Sequence, residues 1–231
     1  IGWNASVGAP CPLPSPGCEA RTLLQEVDVI SSVSGGSFTA AYYALNRDEI
    51  FAPSSPFHTQ FLYYPIQRDL VSRAAYYPRS WTHLLQRVEI AADLYADRVF
   101  GDTTFAALES KGRPYLVMNT TDASTGTRFE FSQEMFDPLC ADLSQIPIAR
   151  GVTASSAFPG LLNAMTIEAP ARGRCASPPP AGVANAGRAA RLNYRRYQAG
   201  RELESYLDDS RKYLHVMDGG PADNIGVRSI L

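Results

Sequence analysis

The sequence predicts a layered α/β fold with a largely parallel central sheet, and three observations carry that expectation. A short β-branched run, Val27 to Ile30, turns at once into a small, apolar helical stretch, Phe38 to Leu45. Further strand-like runs, Tyr115 to Asn119 and Tyr213 to Met217, are separated by helical stretches, and this alternation favours parallel pairing. The last run leads into Asp218-Gly219-Gly220, at the strand end where open parallel sheets place their ligands.

Composition narrows the class. At 231 residues, 45% hydrophobic and 19% charged, the chain reads as a single domain, 1–231, with room for a substantial core. A net charge of −2 argues against a nucleic-acid partner. No apolar run approaches the roughly 20 residues of a membrane helix. The first residues, I-G-W-N-A-S-V-G, lack the basic start and apolar core of a signal peptide. The start without methionine reads as a processed or trimmed piece of something longer. Cys11, Cys18, Cys140 and Cys175 lack C-x-x-C spacing and the three histidines are scattered, so no metal or other cofactor is expected. Two disulfides, Cys11–Cys18 and Cys140–Cys175, or four free thiols fit the spacing equally.

Taken in order, residues 1–20 are rich in Pro, Gly and Ser and read as an irregular arm. After the elbow helix, residues 46–56 form a break with two prolines. A helical, aromatic-rich insert follows over 57–100, interrupted near Tyr77-Pro78, with Leu84, Leu85, Val88, Ala91, Ala92 and Tyr95 at helical spacing. Its aromatics, Phe57, Phe61, Tyr63, Tyr64, Tyr76, Tyr77 and Trp81, suit core packing or a lipid-facing surface. A short helix over Asp102–Glu109 precedes the strand Tyr115–Asn119, a turn ending at Gly126, and an alternating strand Thr127–Phe131. Residues 147–163 start as a helix and end at Pro159-Gly160. Residues 169–187 form a low-complexity loop expected to be mobile. A polar helix over 188–208 leads into the final strand.

Chemistry concentrates at two places. A strand that turns directly into a helix leaves its corner residue, Ser34, over the free N–H groups and positive end of the helix, where an oxyanion is favoured. S-V-S-G-G has the spacing of a nucleophile elbow, G-x-S-x-G, with Ser32 in place of the first glycine. Ser34 as a helix cap is the competing reading. A serine nucleophile needs a base. His215 and Asp218 are three apart on one strand and should face opposite sides, which makes them a poor pair. His58 and His83 sit in the insert without a partner signature. Asp218 itself is then the base, although a carboxylate serves well only where its surroundings tune it. The competing reading of D-G-G is a turn with glycine at positive φ, capped by the aspartate.

Together these stretches resemble the patatin-like phospholipase family, of bacterial type. The likeness extends through A-S-S-A-F-P-G (154–160), N-T-T-D-A-S-T-G (119–126) and D-G-G-P-A-D-N-I-G (218–226), in order, from about Arg21 to Leu231. The resemblance implies a three-layer α/β/α sandwich and a lipid acyl hydrolase. It makes Ser34 the nucleophile and Asp218 the base of a dyad without histidine, and it needs no cofactor. Gly35 and Gly36 become elbow backbone, the Gly35 amide an oxyanion donor, and Gly219, Gly220 and Asn224 the supporting loop. Ser155 and Ser156 are expected to cap or pack near the site rather than react. Asp223 and Asn224 are expected to hold their loop, and Asp122 to shape a turn. The family's glycine-rich oxyanion segment upstream of the elbow has no match in residues 1–26: either it lay upstream and is missing here, or the hole is incomplete, and the sheet is then short of one strand, with an exposed edge.

The implied partner is a lipid or acyl-ester substrate, with peripheral membrane contact through residues 57–81. Composition and motif style look bacterial, and paired cysteines would favour the cell envelope over the cytoplasm. The rival readings are a soluble esterase or thioesterase on short acyl chains, a catalytically silent lipid- or protein-binding member, and a histidine-triad hydrolase.

Overall fold

The computed structural model describes residues 23–76, 86–168, 197, 200, 203–207 and 211–230. The fold is α/β, as the alternation of elements predicts. Its centre is β2 (Tyr115–Asp122), eight residues of which seven are buried. Strand β1 (Val29–Val33) runs parallel to the first half of β2, from Val29 beside Tyr115 to Val33 beside Asn119. On the opposite side of β2, β3 (Arg128–Phe131) pairs antiparallel, Met118 with Phe131 and Thr121 with Arg128.

The last strand, β5 (Tyr213–Asp218), pairs antiparallel with the second half of β2, Asp218 beside Thr120 and Val216 beside Asp122. Strand β4 (Met165–Glu168) pairs antiparallel with β5. The expected parallel pairing is thus that of β1 with β2, while the other described pairings are antiparallel. The reason is local: β3 returns from β2 through a tight turn, and β5 arrives from the far end of β2.

The helices cover this sheet. Strand β1 turns into α1 (Gly36–Asn46), whose buried residues include Phe38, Ala41, Tyr42 and Ala44. The insert folds as a π-helix (Phe57–Leu62), α2 (Ile66–Tyr76), α3 (Gln86–Tyr95) and a second π-turn (Ala96–Phe100). Its inward aromatics are core: Phe38 stacks on Phe61 at 4.5 Å and meets Tyr95 edge-on at 4.6 Å, while Tyr42 lies 5.1 Å from Phe57. Tyr63 and Tyr76 are 77% and 85% exposed. Tyr77 and Trp81 lie outside the described residues, as do residues 1–20, the 169–187 loop and most of the expected 188–208 helix.

Helix α4 (Phe105–Lys111) packs on α1 and β2, with Phe105 stacked on Phe131 at 5.8 Å. The short α5 (Gln133–Phe136) follows β3. Seven of the eight residues of helix α6 (Ile148–Ser155) are buried, packed against β2 and α3. A bidentate pair of Arg150 with Glu89, at 2.5 and 2.9 Å, ties α6 to α3. Cys140 is disulfide-bonded, and its partner lies outside the described residues.

Candidate active site

The register explains how two residues 184 apart in sequence come together. Asn119 and Thr120 are neighbours on β2. One pairs with Val33 at the end of β1, the other with Asp218 at the end of β5. Because β3 occupies the opposite side of this part of β2, β1 and β5 share one side and meet with their carboxyl ends facing. The sequence expects Ser34 and Asp218 at one edge of parallel strands; the ends instead converge from opposite directions.

The Ser34 hydroxyl donates to Asp218 Oδ2 at 2.6 Å. Ser34 is half-buried and holds φ +53, left-handed backbone that costs a non-glycine residue about 1–2 kcal/mol. Asp218 is 3% exposed. Its Oδ1 accepts the Gly220 N–H at 2.8 Å, and its own N–H donates to the Ala157 carbonyl at 3.0 Å. The carboxylate therefore has one oxygen on the backbone and one on the hydroxyl, a placement in which it can receive the hydroxyl proton.

Above the elbow, the first turn of α1 closes with Ser37 N–H on the Ser34 carbonyl at 2.9 Å. The Gly35 and Gly36 amides donate to no described residue, as the first N–H groups of a helix have no acceptor within it. A Cβ built on either glycine meets nothing within 4 Å among the described residues, which leave the space over this helix end open. Two unpaired amides at a helix N-terminus can stabilise an oxyanion.

Beneath the elbow lies a buried hydroxyl cluster that the sequence did not announce. Ser155, expected to cap or pack, accepts the Ser34 N–H at 3.1 Å and donates to the Asn119 carbonyl at 2.8 Å. Ser37 Oγ lies 2.8 Å from Ser155 Oγ and 3.0 Å from Ser32 Oγ, and Ser32 donates to the Val117 carbonyl at 3.2 Å. Asn119, fully buried, donates through Nδ2 to Ser31 Oγ at 2.8 Å and to the Ser32 carbonyl at 3.0 Å, and accepts from Ser229. Ser31 Oγ lies 2.5 Å from the Gly226 carbonyl, linking β1 to the loop after Asp218. Ser156, which follows α6 as its C-cap, donates back to the Val152 carbonyl at 2.7 Å.

The loop residues divide. Asp223 accepts the Arg228 N–H at 2.8 Å and so holds the loop. Asn224 is exposed and makes no side-chain hydrogen bond among the described residues, so its expected tethering role is not seen. Asp122 does more than shape a turn. It accepts the Ser124 N–H at 2.9 Å, as a turn aspartate would, but it is fully buried and paired with Arg211, with the Tyr206 hydroxyl 3.3 Å away. Burial, ahead of the nearby Asp122 charge, pushes the Tyr206 hydroxyl far above its usual range.

His215 is exposed on the face of β5 opposite Asp218, with Nδ1 3.0 Å from Thr166 Oγ1. His58 Nε2 lies 2.8 Å from the Ile50 carbonyl. His83 lies outside the described residues. Among the described residues no cluster of His, Cys, Asp or Glu could hold a metal ion.

Exposed apolar side chains lie close in sequence to groups that hold the site. Phe158, next to the Ala157 carbonyl that holds Asp218, is 63% exposed, and Ile225, beside Gly226, is 76% exposed. Leu161 is exposed as well. Among the described residues β1 pairs with β2 alone, and a groove of about 550 Å³ runs beside it, lined by Val33, Gly36, Ala40, Tyr43 and Ile225 among others. No helix among the described residues is long and apolar enough to cross a membrane.

Compared with known families, the chain matches the model of the patatin-like phospholipases over residues 20–231. No curated protein and no solved structure matches significantly.

Proposed function

From the chain's membership of the patatin-like phospholipase family, a family of lipid acyl hydrolases, we propose that it cleaves acyl esters of lipids through Ser34 and Asp218. The observation that carries this reading is the 2.6 Å contact from the Ser34 hydroxyl to Asp218 Oδ2. Ser34 Oγ attacks the ester carbonyl carbon while its proton passes to Asp218. The Gly35 and Gly36 amides face the developing oxyanion. The tetrahedral intermediate collapses, Asp218 returns the proton to the leaving alcohol oxygen, and an acyl-enzyme remains. A water then gives its proton to Asp218 and attacks the acyl carbonyl. The fatty acid departs and Ser34 regains its proton.

A lipid substrate, rather than a short soluble ester, is supported by exposed Phe158, next to the Ala157 that bonds Asp218, and by exposed Ile225, which lines the groove with Val33 and Gly36. Exposed Leu62, Tyr63, Val71 and Tyr76 of the insert add a second apolar surface suited to a lipid interface.

The test is hydrolysis of medium- and long-chain esters by the wild-type chain and by Ser34→Ala, together with labelling by a fluorophosphonate. The reading expects turnover that favours the longer chains, one label per molecule, and loss of both in Ser34→Ala. Preference for the shortest esters would make the chain a soluble esterase. Folded protein that neither turns over nor takes the label would overturn the dyad and favour a lipid-binding role.

A further inference from the structure

One short stretch grips both halves of the dyad. Ser155, the last residue of α6, is fully buried. Its hydroxyl oxygen accepts the Ser34 N–H at 3.1 Å, and its carbonyl accepts the Gly219 N–H at 3.3 Å, one residue beyond Asp218. Two residues on, the Ala157 carbonyl takes the Asp218 N–H at 3.0 Å. The Ser155 hydroxyl proton goes to the Asn119 carbonyl, at the point on β2 where β1 and β5 meet. Its oxygen is therefore free to accept, and the Ser34 amide fills that role.

Serine keeps left-handed backbone only where its surroundings over-determine it. At Ser34 the amide is the handle. If φ relaxed from +53 toward the ordinary negative range, the N–H would swing away from Ser155, and Oγ would leave Asp218. We infer that Ser155 is a positioning residue for ester hydrolysis: its hydroxyl pins the nucleophile's backbone while its carbonyl pins the base's loop. Ser37 Oγ, 2.8 Å from Ser155 Oγ and 3.0 Å from Ser32 Oγ, bonds these two hydroxyls and not the Ser34 N–H, so it supports Ser155 without taking its place. The inference rests on the dyad reading given above.

A purely structural hydroxyl would lower stability and leave turnover alone; a positioning one lowers kcat. Ser155→Ala is expected to lose about 10–100-fold in kcat with KM unchanged, the scale of displacing a reacting group by an ångström or less. Fluorophosphonate labelling of Ser34 should slow in parallel. Ser155→Cys keeps the size and a weak acceptor and should fall between Ala and wild type. It also carries the test if the alanine variant does not fold.

The control is Thr153→Val, which removes an equally buried hydroxyl of the same helix, bonded to the Ala149 carbonyl at 2.6 Å. It should lower the melting temperature while keeping kcat. Folded Ser155→Ala or Ser155→Cys with wild-type kcat and labelling rate overturns the inference while leaving the dyad standing. Wild-type protein inert to both ester and label removes the dyad reading and this inference with it.

Discussion

Replacing Asp218 by asparagine separates the base from the space it fills. In the native site Oδ1 accepts the Gly220 N–H at 2.8 Å and Oδ2 accepts the Ser34 hydroxyl at 2.6 Å. An asparagine must turn its carbonyl oxygen to Gly220, because the opposite orientation sets two donors against each other. Its NH₂ then points at Ser34 Oγ and donates where the carboxylate accepted. The serine proton loses its acceptor, although both hydrogen bonds survive in number. Removal of general-base help costs about 10²–10⁴-fold, equivalent to about 2.7–5.4 kcal/mol at 1.36 kcal/mol per decade.

Stability should change less than activity. Each bond passes from charge-assisted to neutral, a loss of about 1 kcal/mol apiece. Two such losses lower the melting temperature by about 4–8 °C for a chain of this length. Initial rates on a long-chain ester, with near-ultraviolet circular dichroism and a melting curve on the same samples, read both quantities. A folded Asp218→Asn variant that hydrolyses ester at the wild-type rate would refute the assignment of Asp218 as base.

Two other perturbations probe the frame of the site. Gly219→Ala places a Cβ 2.5 Å from the Asn119 carbonyl oxygen and 3.0 Å from Val33 Cγ1, so β5 must retreat from β2. The expected cost is about 1–3 kcal/mol with loss of the Ser34–Asp218 contact, and a variant with native melting temperature and turnover would contradict it. Glu130 gives a pH signature: burial, ahead of the opposing pull of Arg128, raises its carboxyl above the usual 4.5. The folded state then holds this proton more tightly than the unfolded state. The contribution is full below about pH 4.5 and declines as pH rises through the raised value. Glu130→Gln should therefore gain melting temperature relative to wild type as pH rises above about 4.5, and parallel curves for the two proteins would count against this.

Element types and the two outstanding side chains were legible because they depend on local pattern. V-I-S-S-V-S-G-G gives strand, corner and helix in one reading, and D-G-G closes another strand. The boundaries were less legible. Ser31 and Ser32 read as turn residues, yet both belong to β1, since pairing with β2 buries Ser32 and hydrogen bonds to Gly226 and Val117 satisfy their hydroxyls. Thr120, Thr121 and Asp122 read as the start of a turn, yet they extend β2 because β3 and β5 pair there. The four-residue β4 carries too little pattern after Pro159-Gly160 to be read as a strand. Asn119 as a site residue, and the bonds of Ser155, which was expected only to cap or pack near the site, were beyond reach for a different reason. Each looks like an ordinary polar residue in its own segment, and its partners lie between 36 and 121 residues away.

The antiparallel arrival of β5 gives D-G-G a meaning that differs from a turn motif. Gly219 holds φ −71, and neither it nor Gly220 adopts positive φ, so backbone handedness is not why glycine stands there. Space is the reason at Gly219, where two strand ends share one side of β2 and the backbone passes so close to Asn119 that no side chain fits. At Gly220 the amide completes the carboxylate's bonding, and an added Cβ would lie 3.1 Å from Asp218 Oδ1. The consequence is a direct oxygen-to-oxygen contact of 2.6 Å, too short for an imidazole ring to stand between hydroxyl and carboxylate. A histidine relay would need the two ends held apart by the width of a ring. The close approach that glycine permits at 219 is therefore the same feature that lets aspartate meet serine without an intermediary.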